Sequence, residues 1–301
     1  MKTKRLLSFI DKAGCGLEIG PSYHPLAPKK LGYNVRTLDY LSQSDLIEKY
    51  ARLSVPVSEI EPVDFIWAGE PYSELMGGHS LFDWIIASHV IEHTPDLIGF
   101  LKNCSSVLKE DGIIVLVVPD KRYCFDHFRP PSSIAQIIDA HHAHLKCPSL
   151  GMIADFYLNK VQLNGSTIWN RLTRGTFQFQ HTTEETKVEM VRPEYSDVHA
   201  WSFTPHSFRL VINDLISLGY LDLEEVHFSI SSSFEFFVIL RKSKSPPPNS
   251  RLLLAKKAES ELSRPLMLTI VELLGALIYM PLSFAYRLSK RGLKTRRSGT
   301  Y

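Results

Sequence analysis

The chain has 301 residues, of which 44% are hydrophobic and 22% charged, and its formal net charge is +2. This length and composition allow one large or two small domains with a real core, and they exclude a disordered chain and a polytopic membrane protein. From Arg241 onward, however, there are 13 Lys and Arg against 3 Asp and Glu, which leaves a body with 29 acidic and 21 basic side chains. An acidic body with a basic tail is not typical of a nucleic-acid-binding domain and indicates a soluble module with an appendage for an anionic surface.

The amino terminus and the cysteines bear on the compartment. The opening segment MKTKRLLSFIDKAG combines a basic start with a short apolar run, which favours an amphipathic helix over a signal peptide. The four cysteines form no C-x-x-C pair. We therefore expect reduced thiols in a cytoplasmic protein.

Short apolar runs alternate with helix-like stretches such as Pro95–Lys109 over the first part of the chain. The runs that predict strands are Leu17–Ile19, Val35–Leu38, Asp64–Trp67, Trp84–Ala87 and Ile113–Val118. This alternation predicts an α/β fold with a parallel sheet and crossover helices. The fifth run is apolar at every position, which is typical of a strand covered on both faces.

The rest of the chain divides into three predicted parts. Residues 126–200 are rich in His, Pro and aromatic side chains and predict a lid or substrate insertion within a domain that spans residues 1–241. Residues 201–241 predict one helix and two strands, joined by a hairpin at Ser231–Ser233. Residues 242–265 read as a linker by composition, and residues 266–301 as an apolar helix with a basic tail.

The glycines of the segment GCGLEIGPS bear on the kind of ligand. A dinucleotide fingerprint needs its glycines after the first strand, where they open the helix that meets the phosphates. Gly14 and Gly16 precede the predicted strand, and only Gly20 follows it. This placement argues against a nicotinamide-dependent reductase.

An acidic residue, Asp39, ends the second predicted strand, 19 residues after Gly20. An acid at this place can accept hydrogen bonds from two ribose hydroxyls, and a glycine turn lets a ligand approach the backbone. Each feature alone is commonly structural, as a turn or a helix cap. Together, in this order, they predict a nucleoside site that does not require a pyrophosphate.

Four segments of the chain resemble the class I S-adenosylmethionine-dependent methyltransferases, in particular small-molecule enzymes of the methyltransferase type 11 kind. They are GLEIGPS, the acid Asp39, FDWIIASHVIEHTPDL and LKEDGIIVLVVPDKRYCFD. The resemblance covers residues 13–128 well and 201–241 weakly. It implies a doubly wound, mostly parallel seven-stranded sheet with S-adenosylmethionine across the carboxyl ends of strands one, two and four.

The resemblance also implies which residues contact the cofactor. They are Glu18, Gly20, Pro21, Ser22, Asp39, Glu70, Ser88 and His89. Two positions depart from the family pattern. Ser22 stands where a second glycine is usual, and after strand three Ala68 and Gly69 come before the acid Glu70.

Methyl transfer from a sulfonium is an in-line displacement in which the protein mainly positions the acceptor, and a hydroxyl acceptor also needs a base. The candidate bases are His89, then His93, then Asp120. His89 and His93 share a face if a helix starts there, and Asp120 follows strand five. The alternatives are local packing of His93, an ion pair of Asp120 with Lys121 or Arg122, and catalysis by proximity alone.

Histidines elsewhere in the chain are candidates for metal binding or for contact with the acceptor. In the segment DAHHAHLKC, His141 and His144 are three residues apart, but no carboxylate or cysteine motif completes a site at familiar spacing, so no metal is expected. The segment Asp197–Pro205, which contains His199, is the candidate for contact with the acceptor from the lid.

The carboxyl-terminal apolar segment Leu266–Tyr286 is 21 residues long, enough to span a bilayer. Glu272 lies inside it, and both flanks are basic, which opposes a span. Polar or small residues recur along it at steps of three and four: Thr269, Glu272, Ala276, Tyr279, Ser283, Tyr286 and Lys290. This pattern favours an interfacial helix, or a re-entrant hairpin bent at Pro281, over a span or a helix packed on a partner.

The expected protein is thus an S-adenosylmethionine-dependent enzyme that O-methylates a small-molecule or glycan acceptor, and a lipid-linked sugar is one acceptor that would explain the tail. It would be cytoplasmic and peripheral at the inner face of the membrane, which residues 266–297 would contact. No nucleic-acid partner is expected, given the acidic body. The alternative is a catalytically silent binding module with the same fold.

Overall fold

The computed structural model describes residues 6–171, 175–191 and 196–263. The residues described up to Ala258 belong to one compact unit, and a second unit, Glu259–Tyr301, is described only as far as residue 263. The predicted interfacial helix and basic tail therefore lie outside the described residues, as do residues 1–5 of the predicted first helix. No helix among the described residues is long and apolar enough to cross a membrane.

The strands and helices have the following bounds. The strands are β1 (Gly16–Ile19), β2 (Val35–Asp39), β3 (Phe65–Ile66), β4 (Phe82–Ser88), β5 (Leu108–Pro119), β6 (Val161–Leu163), β7 (Ser166–Thr167), β8 (Phe177–Phe179), β9 (Leu223–Ile230) and β10 (Glu235–Lys242). The α-helices are α1 (Gln43–Tyr50), α2 (Tyr72–Leu75), α3 (Leu97–Val107), α4 (Ile134–His142), α5 (Leu150–Asn159), α6 (Thr183–Met190), α7 (Pro205–Ser217) and α8 (Arg251–Leu262).

The main sheet has seven strands in the order β3-β2-β1-β4-β5-β10-β9. Strand β10 runs antiparallel to β5 and β9, and the remaining neighbours are parallel. This confirms the predicted doubly wound, mostly parallel sheet. The chain moves outward from β1 to β3 and then returns to β4 beside β1, so the topology switches between β1 and β4. An open α/β sheet leaves its ligand crevice at the carboxyl ends of the strands at such a point.

The two faces of the sheet are buried against different elements. In β4, Ile85 and Ala87 belong to one apolar cluster with side chains of α3 and α7, whereas Trp84 and Ile86 belong to a second cluster on the other face. The side chains alternate because successive residues of a strand point to opposite faces. The prediction of a central strand covered on both faces is confirmed for β5, whose Leu116 and Val117 fall in different clusters.

The predicted insertion, residues 126–200, contains α4, α5, α6 and a small antiparallel sheet in the order β7-β6-β8. Its first helices are capped by their own sequence: Ser133 and Ser149 each accept a hydrogen bond from the backbone of the first turn. Cys124, just before the insertion, and Trp169, within it, form an isolated antiparallel bridge. Asp120 and Phe203, which flank the insertion in the chain, form an isolated parallel bridge.

The predicted linker at 242–265 is a point at which the structure corrects the sequence analysis. Of its described residues, only 243–250 and 263 lack regular structure, because β10 extends to Lys242 and α8 occupies Arg251–Leu262. Leu254 and Ala258, four residues apart, are buried on one face of α8. Arg251 binds the carboxylate of Asp214 in α7 through two hydrogen bonds of 2.8 and 3.0 Å. The composition of this segment therefore did not indicate α8, which contacts α7.

Candidate functional site

The register of the central strands brings the predicted cofactor residues to one edge of the sheet. Ile19 of β1 pairs with Leu38 of β2 and with Ala87 of β4. The next residue of each strand is Gly20, Asp39 or Ser88, so the three residues lie side by side at the carboxyl ends. This edge is the switch point of the topology.

The turn after β1 has the conformation that a close-approaching ligand requires. Gly20 has φ +60°, and a Cβ added there would lie 2.9 Å from Cγ2 of Val90. Ser22 also has a left-handed backbone, with φ +47°, at the place where the family usually has a glycine. The Oγ of Ser22 is buried without a hydrogen-bond partner among the described residues.

Asp39 is 5% exposed at the end of β2. Its Oδ1 accepts hydrogen bonds from the backbone of Tyr40 and Leu41, and burial raises the pKa of this carboxyl group. Its Oδ2 has no hydrogen bond within the part of the chain that the structure describes. An unused carboxylate oxygen here, and the unpartnered Oγ of Ser22 close by in the sequence, fit the hydroxyl-rich nucleoside of the predicted cofactor.

Glu18 lies inside the protein and braces the turn. It is 1% exposed, and its two oxygens accept hydrogen bonds from the backbone of Leu26 at 2.6 Å and Ala27 at 3.0 Å. Burial raises its pKa to about 7, against the lowering effect of these two bonds. This geometry supports a role in holding the loop of residues 20–27, and it argues against the predicted direct contact of Glu18 with the cofactor.

The remaining predicted cofactor residues are accessible. Pro21 and Ser88 are half-buried. Glu70 follows β3, where its Oε2 accepts a hydrogen bond of 2.8 Å from the backbone of Ala68 and its carbonyl accepts one of 2.7 Å from Nε1 of Trp67. Glu70 is thus ordered by its own loop, and its contact with the adenine remains a prediction.

His89 lies directly after β4, in a left-handed backbone conformation with φ +54°. Its Nε2 is 3.1 Å from Oε2 of Glu235, and its Nδ1 is 3.5 Å from Oε1 of Glu92. Burial lowers the pKa of His89, but the two carboxylates outweigh burial and raise it to about 9. Because an imidazole with this pKa is protonated at neutral pH, the structure argues against the first candidate base.

His89 and His93 do not share a helix face, since the helix α3 begins only at Leu97 and residues 91–93 form a 3₁₀ turn. The turn points Glu92 inward, where its side chain is 1% exposed. Neither carboxylate oxygen of Glu92 has a hydrogen-bond partner among the described residues. Burial raises the pKa of Glu92, but the nearby His89 outweighs burial, so the pKa lies below its usual value.

His93 faces the segment that was predicted to contact the acceptor. Its Nδ1 is 2.9 Å from Oδ1 of Asp197, an ion-pair contact whose angle is poor for a hydrogen bond. Burial lowers the pKa of His93, and the carboxylates of Asp197 and Glu92 outweigh burial and raise it. Asp197 also binds Lys49 of α1 at 2.9 Å.

His199 is buried beside His93, and the ring centroids are 4.7 Å apart. Its Nδ1 is 2.5 Å from Oδ2 of Asp126, whose Oδ1 accepts a hydrogen bond of 2.9 Å from Arg129. Burial raises the pKa of Asp126, but the cationic neighbours outweigh burial and hold it well below its usual value. Glu92, His93 and His199 together form a group whose ligand atoms lie within 4.8 Å of one another.

The third candidate base, Asp120, is in the ion pair that was considered as its alternative. It is 1% exposed, and Arg122 donates to both of its oxygens, from Nε at 2.9 Å and from Nη2 at 2.6 Å. The backbone of Arg122 donates to Asp120 as well. With its oxygens occupied in this way, Asp120 is poorly placed to act as a base.

Other features lie away from this edge. His141 contacts Asp96 at 2.9 Å through Nδ1 and is separate from the histidines at β4. A cavity of about 500 Å³, lined by residues that include Ser106, Tyr220 and Lys242, opens at the amino ends of the parallel strands. None of the predicted site residues lines it.

Sequence reasoning missed Glu92 and Asp126 as members of the site. Glu92 stood next to a candidate base, but its inward direction depends on the 3₁₀ turn. Asp126 is 73 residues from His199 in sequence, so only the fold brings them together. The signal available was the cluster of acidic and histidine residues at the ends of β4 and β5.

Solved structures with a similar fold include the PH0226 protein from Pyrococcus horikoshii OT3, with 14% identity over 80% of this chain and 87% of that chain and a TM-score of 0.42. A SAM-dependent methyltransferase from Methanosarcina mazei has 16% identity over 80% and 98% of the two chains and a TM-score of 0.41. The CcbJ methyltransferase from Streptomyces caelestis has 12% identity over 80% and 94%, with a TM-score of 0.42.

The search of curated proteins found no significant match. The family comparison, in contrast, matches the methyltransferase domain over residues 2–168. That match covers more than half of the chain and includes β1 to β5, the turn at Gly20, Asp39, and Glu92 and His93 after β4. The chain therefore belongs to the methyltransferase-domain family, and it is an S-adenosylmethionine-dependent methyltransferase.

Proposed function

We propose that this methyltransferase transfers its methyl group to a hydroxyl of a small-molecule or glycan acceptor by in-line displacement. When bound, S-adenosylmethionine supplies an electrophilic methyl group on a sulfonium. Asp39 would hold the ribose, and the turn at Gly20 and Ser22 would pass close to the methionine part. Ser88 and His89, at the end of β4, would lie beside the transferred methyl group.

The observation that supports this acceptor class is the aromatic and acidic lining around His89. Trp169 and Phe234 each lie with ring centroids 5.9 Å from that of His89, and 5.0 Å from each other. Glu235 is next to Phe234 and contacts His89. Aromatic faces bind the apolar side of a sugar or a planar ring, and carboxylates accept hydrogen bonds from its hydroxyl groups.

The elements that carry this lining come from two parts of the chain. Trp169 lies between β7 and β8 of the small sheet of the insertion, and Phe234 is in the hairpin between β9 and β10. Both converge on the end of β4, beside the predicted cofactor edge. An acceptor held there would be oriented toward the methyl group, which is the main contribution a protein makes to such a displacement. The hydroxyl proton would leave to solvent, since His89 and Asp120 are both engaged in ion pairs.

We also propose that the protein associates peripherally with the inner face of a membrane. The support is the sequence of residues 266–297, with its basic flanks and narrow polar stripe. A lipid-linked acceptor would account for such a tail.

The cofactor part of the proposal is tested by calorimetric titration of the full chain with S-adenosylmethionine, beside Asp39→Asn. Loss of charged hydrogen bonds costs about 1.5–3 kcal/mol each, so the affinity of the variant should fall at least about tenfold. The matched control is Asp111→Asn, an exposed carboxylate near the start of β5. Equal affinities in Asp39→Asn and wild type would contradict the ribose contact.

The acceptor part is tested with S-adenosylmethionine that carries a deuterated methyl group and a panel of sugars, phenols and lipid-linked saccharides. Mass spectrometry should find the label on an acceptor oxygen, with release of S-adenosylhomocysteine only when that acceptor is present. Label on nitrogen or carbon would overturn O-methylation. Cofactor binding without transfer to any acceptor would favour the silent binding module.

A further inference from the structure

Three side chains with metal-binding atoms converge just beyond the end of β4. Glu92, His93 and His199 each offer one ligand atom, and these atoms lie within 4.8 Å of one another. A transition-metal ion binds nitrogen and oxygen at about 2.0–2.2 Å, so its ligands must be roughly 3–4 Å apart. Binding an ion would therefore draw these atoms closer together than the 4.8 Å limit within which they lie.

Glu92 is the strongest sign that something positively charged belongs there. Its side chain is 1% exposed, and neither oxygen has a hydrogen-bond partner in the described part of the chain. The Nδ1 of His89 lies 3.5 Å from Oε1 of Glu92, within ion-pair range. Burying an ionised carboxylate destabilises a protein by about several kcal/mol unless the carboxylate is paired or binds a metal.

Both histidines are oriented by a carboxylate on their other side. Nδ1 of His199 contacts Asp126, which Arg129 holds in turn. Nδ1 of His93 contacts Asp197, which Lys49 holds. With Nδ1 engaged, each ring keeps Nε2 as its available ligand atom. Histidines that bind metals almost always have such a carboxylate, carbonyl or water on the second nitrogen.

We propose that Glu92, His93 and His199 bind one divalent first-row transition-metal ion. Two imidazoles and one carboxylate suit zinc, iron or cobalt, whereas magnesium and calcium prefer oxygen ligands throughout. Three protein ligands leave a coordination position open, as in catalytic zinc sites. If the proposed function holds, the hydroxyl oxygen of the acceptor would be the ligand at that position.

This inference departs from the expectation of no metal. His141 and His144, the histidines whose spacing suggested a metal site, lie outside this group. His199 is more than a hundred residues from His93, and Glu92 is directed inward only by the 3₁₀ turn. No spacing motif could therefore indicate this group.

The test is a titration of the chelator-treated full chain with Co²⁺, followed by visible absorption, and displacement of Co²⁺ by Zn²⁺. We expect one Co²⁺ per chain with the intense bands of a four- or five-coordinate ion. Glu92→Gln, which keeps the shape and removes the charge, should lower the Co²⁺ affinity at least about tenfold, as should His199→Gln. His141→Asn is the matched control, because His141 also contacts a carboxylate but lies outside the group.

Thermal unfolding of each variant with and without Zn²⁺ separates binding from folding. Zn²⁺ should raise the melting temperature of wild type and His141→Asn but not that of Glu92→Gln. Absence of Co²⁺ binding by the wild type, unchanged binding by Glu92→Gln, or loss of binding in His141→Asn would each overturn the site. Calorimetry with S-adenosylmethionine on the same samples tests the proposed function separately. A chain that binds S-adenosylmethionine but neither Co²⁺ nor Zn²⁺ contradicts only the metal site.

Discussion

Gly16 and Gly20 are four residues apart, yet they serve different purposes. A Cβ on Gly16 would lie 2.1 Å from the ring of Trp84, so this glycine makes room for an aromatic side chain in the core. Gly20 instead has a left-handed backbone at the site edge. The glycine-rich appearance of this stretch therefore combines a packing requirement with a binding turn, and neither is a phosphate cradle.

A substitution pair tests this division. Gly16→Ala should lower the free energy of unfolding by about 2–3 kcal/mol, because the added methyl group overpacks a buried strand. Gly14→Ala is the matched control, since the nearest atoms to its Cβ are 3.3 Å away. Urea unfolding of both variants measures the difference. A Gly16→Ala variant as stable as Gly14→Ala would show that Trp84 can move aside.

The candidate bases illustrate how residue roles depend on neighbours. His89 directly follows β4, as the sequence predicts, but Glu92 and Glu235 raise its pKa and make it a cation. Asp120 follows β5, as predicted, and is bound by Arg122. Position along the strand was predictable from the sequence, whereas the protonation state depends on side chains that come from distant segments.

At the scale of elements, α8 shows that composition is a weak guide to helices near a domain boundary. The segment that includes SPPPNS reads as a linker, and the prolines do interrupt the structure between β10 and α8. The next residues bury Leu254 and Ala258 and pair Arg251 with Asp214. These contacts hold the helix, since isolated helices of this length are marginal in water.

The docking of α8 can be measured by truncating one buried side chain. Leu254→Ala should destabilise the protein by about 2 kcal/mol or more, as expected for a buried leucine. Leu254 is 2% exposed, and its neighbour Leu252, at 65%, provides the control variant Leu252→Ala. The midpoints of urea unfolding compare them. Equal midpoints would mean that α8 contributes nothing to the stability of the domain.

At the scale of the whole molecule, charge divides the chain into an acidic body and a basic carboxyl-terminal part. The acidic body holds the sheet and the candidate site. The basic part contains the apolar segment that lies outside the described residues. This distribution is the reason to expect attraction to an anionic surface at one end of the chain.

Vesicle sedimentation tests that expectation. The full chain should co-sediment with vesicles that contain anionic lipid and less with neutral vesicles, and binding should weaken as salt increases, because salt screens the basic residues. A chain that ends at Ser263 is the control and should remain in the supernatant. If the full chain does not bind anionic vesicles, or the shortened chain binds them equally well, the tail is not responsible for membrane association.

Sequence alone was sufficient for the sheet, the order of its elements, the family and the cofactor. The apolar runs, the turn at Gly20 and the acid at Asp39 are local signals in the sequence. Because parallel α/β sheets bind ligands at the carboxyl ends of their strands, these signals together predict the position of the crevice. The strand bounds differ from the prediction by a few residues, most in β5, which begins at Leu108 rather than Ile113.

Only the tertiary structure decided which side chains meet beyond β4. Glu92, His93, Asp126 and His199 come from three separated segments, and their contacts depend on how the insertion folds back over the sheet. Hydrophobic periodicity predicts which face of an element is buried. The contacts of a buried charged side chain depend instead on residues that only the tertiary structure brings near it. Local sequence patterns therefore predict where the crevice lies, whereas its chemistry depends on contacts between residues far apart in the chain.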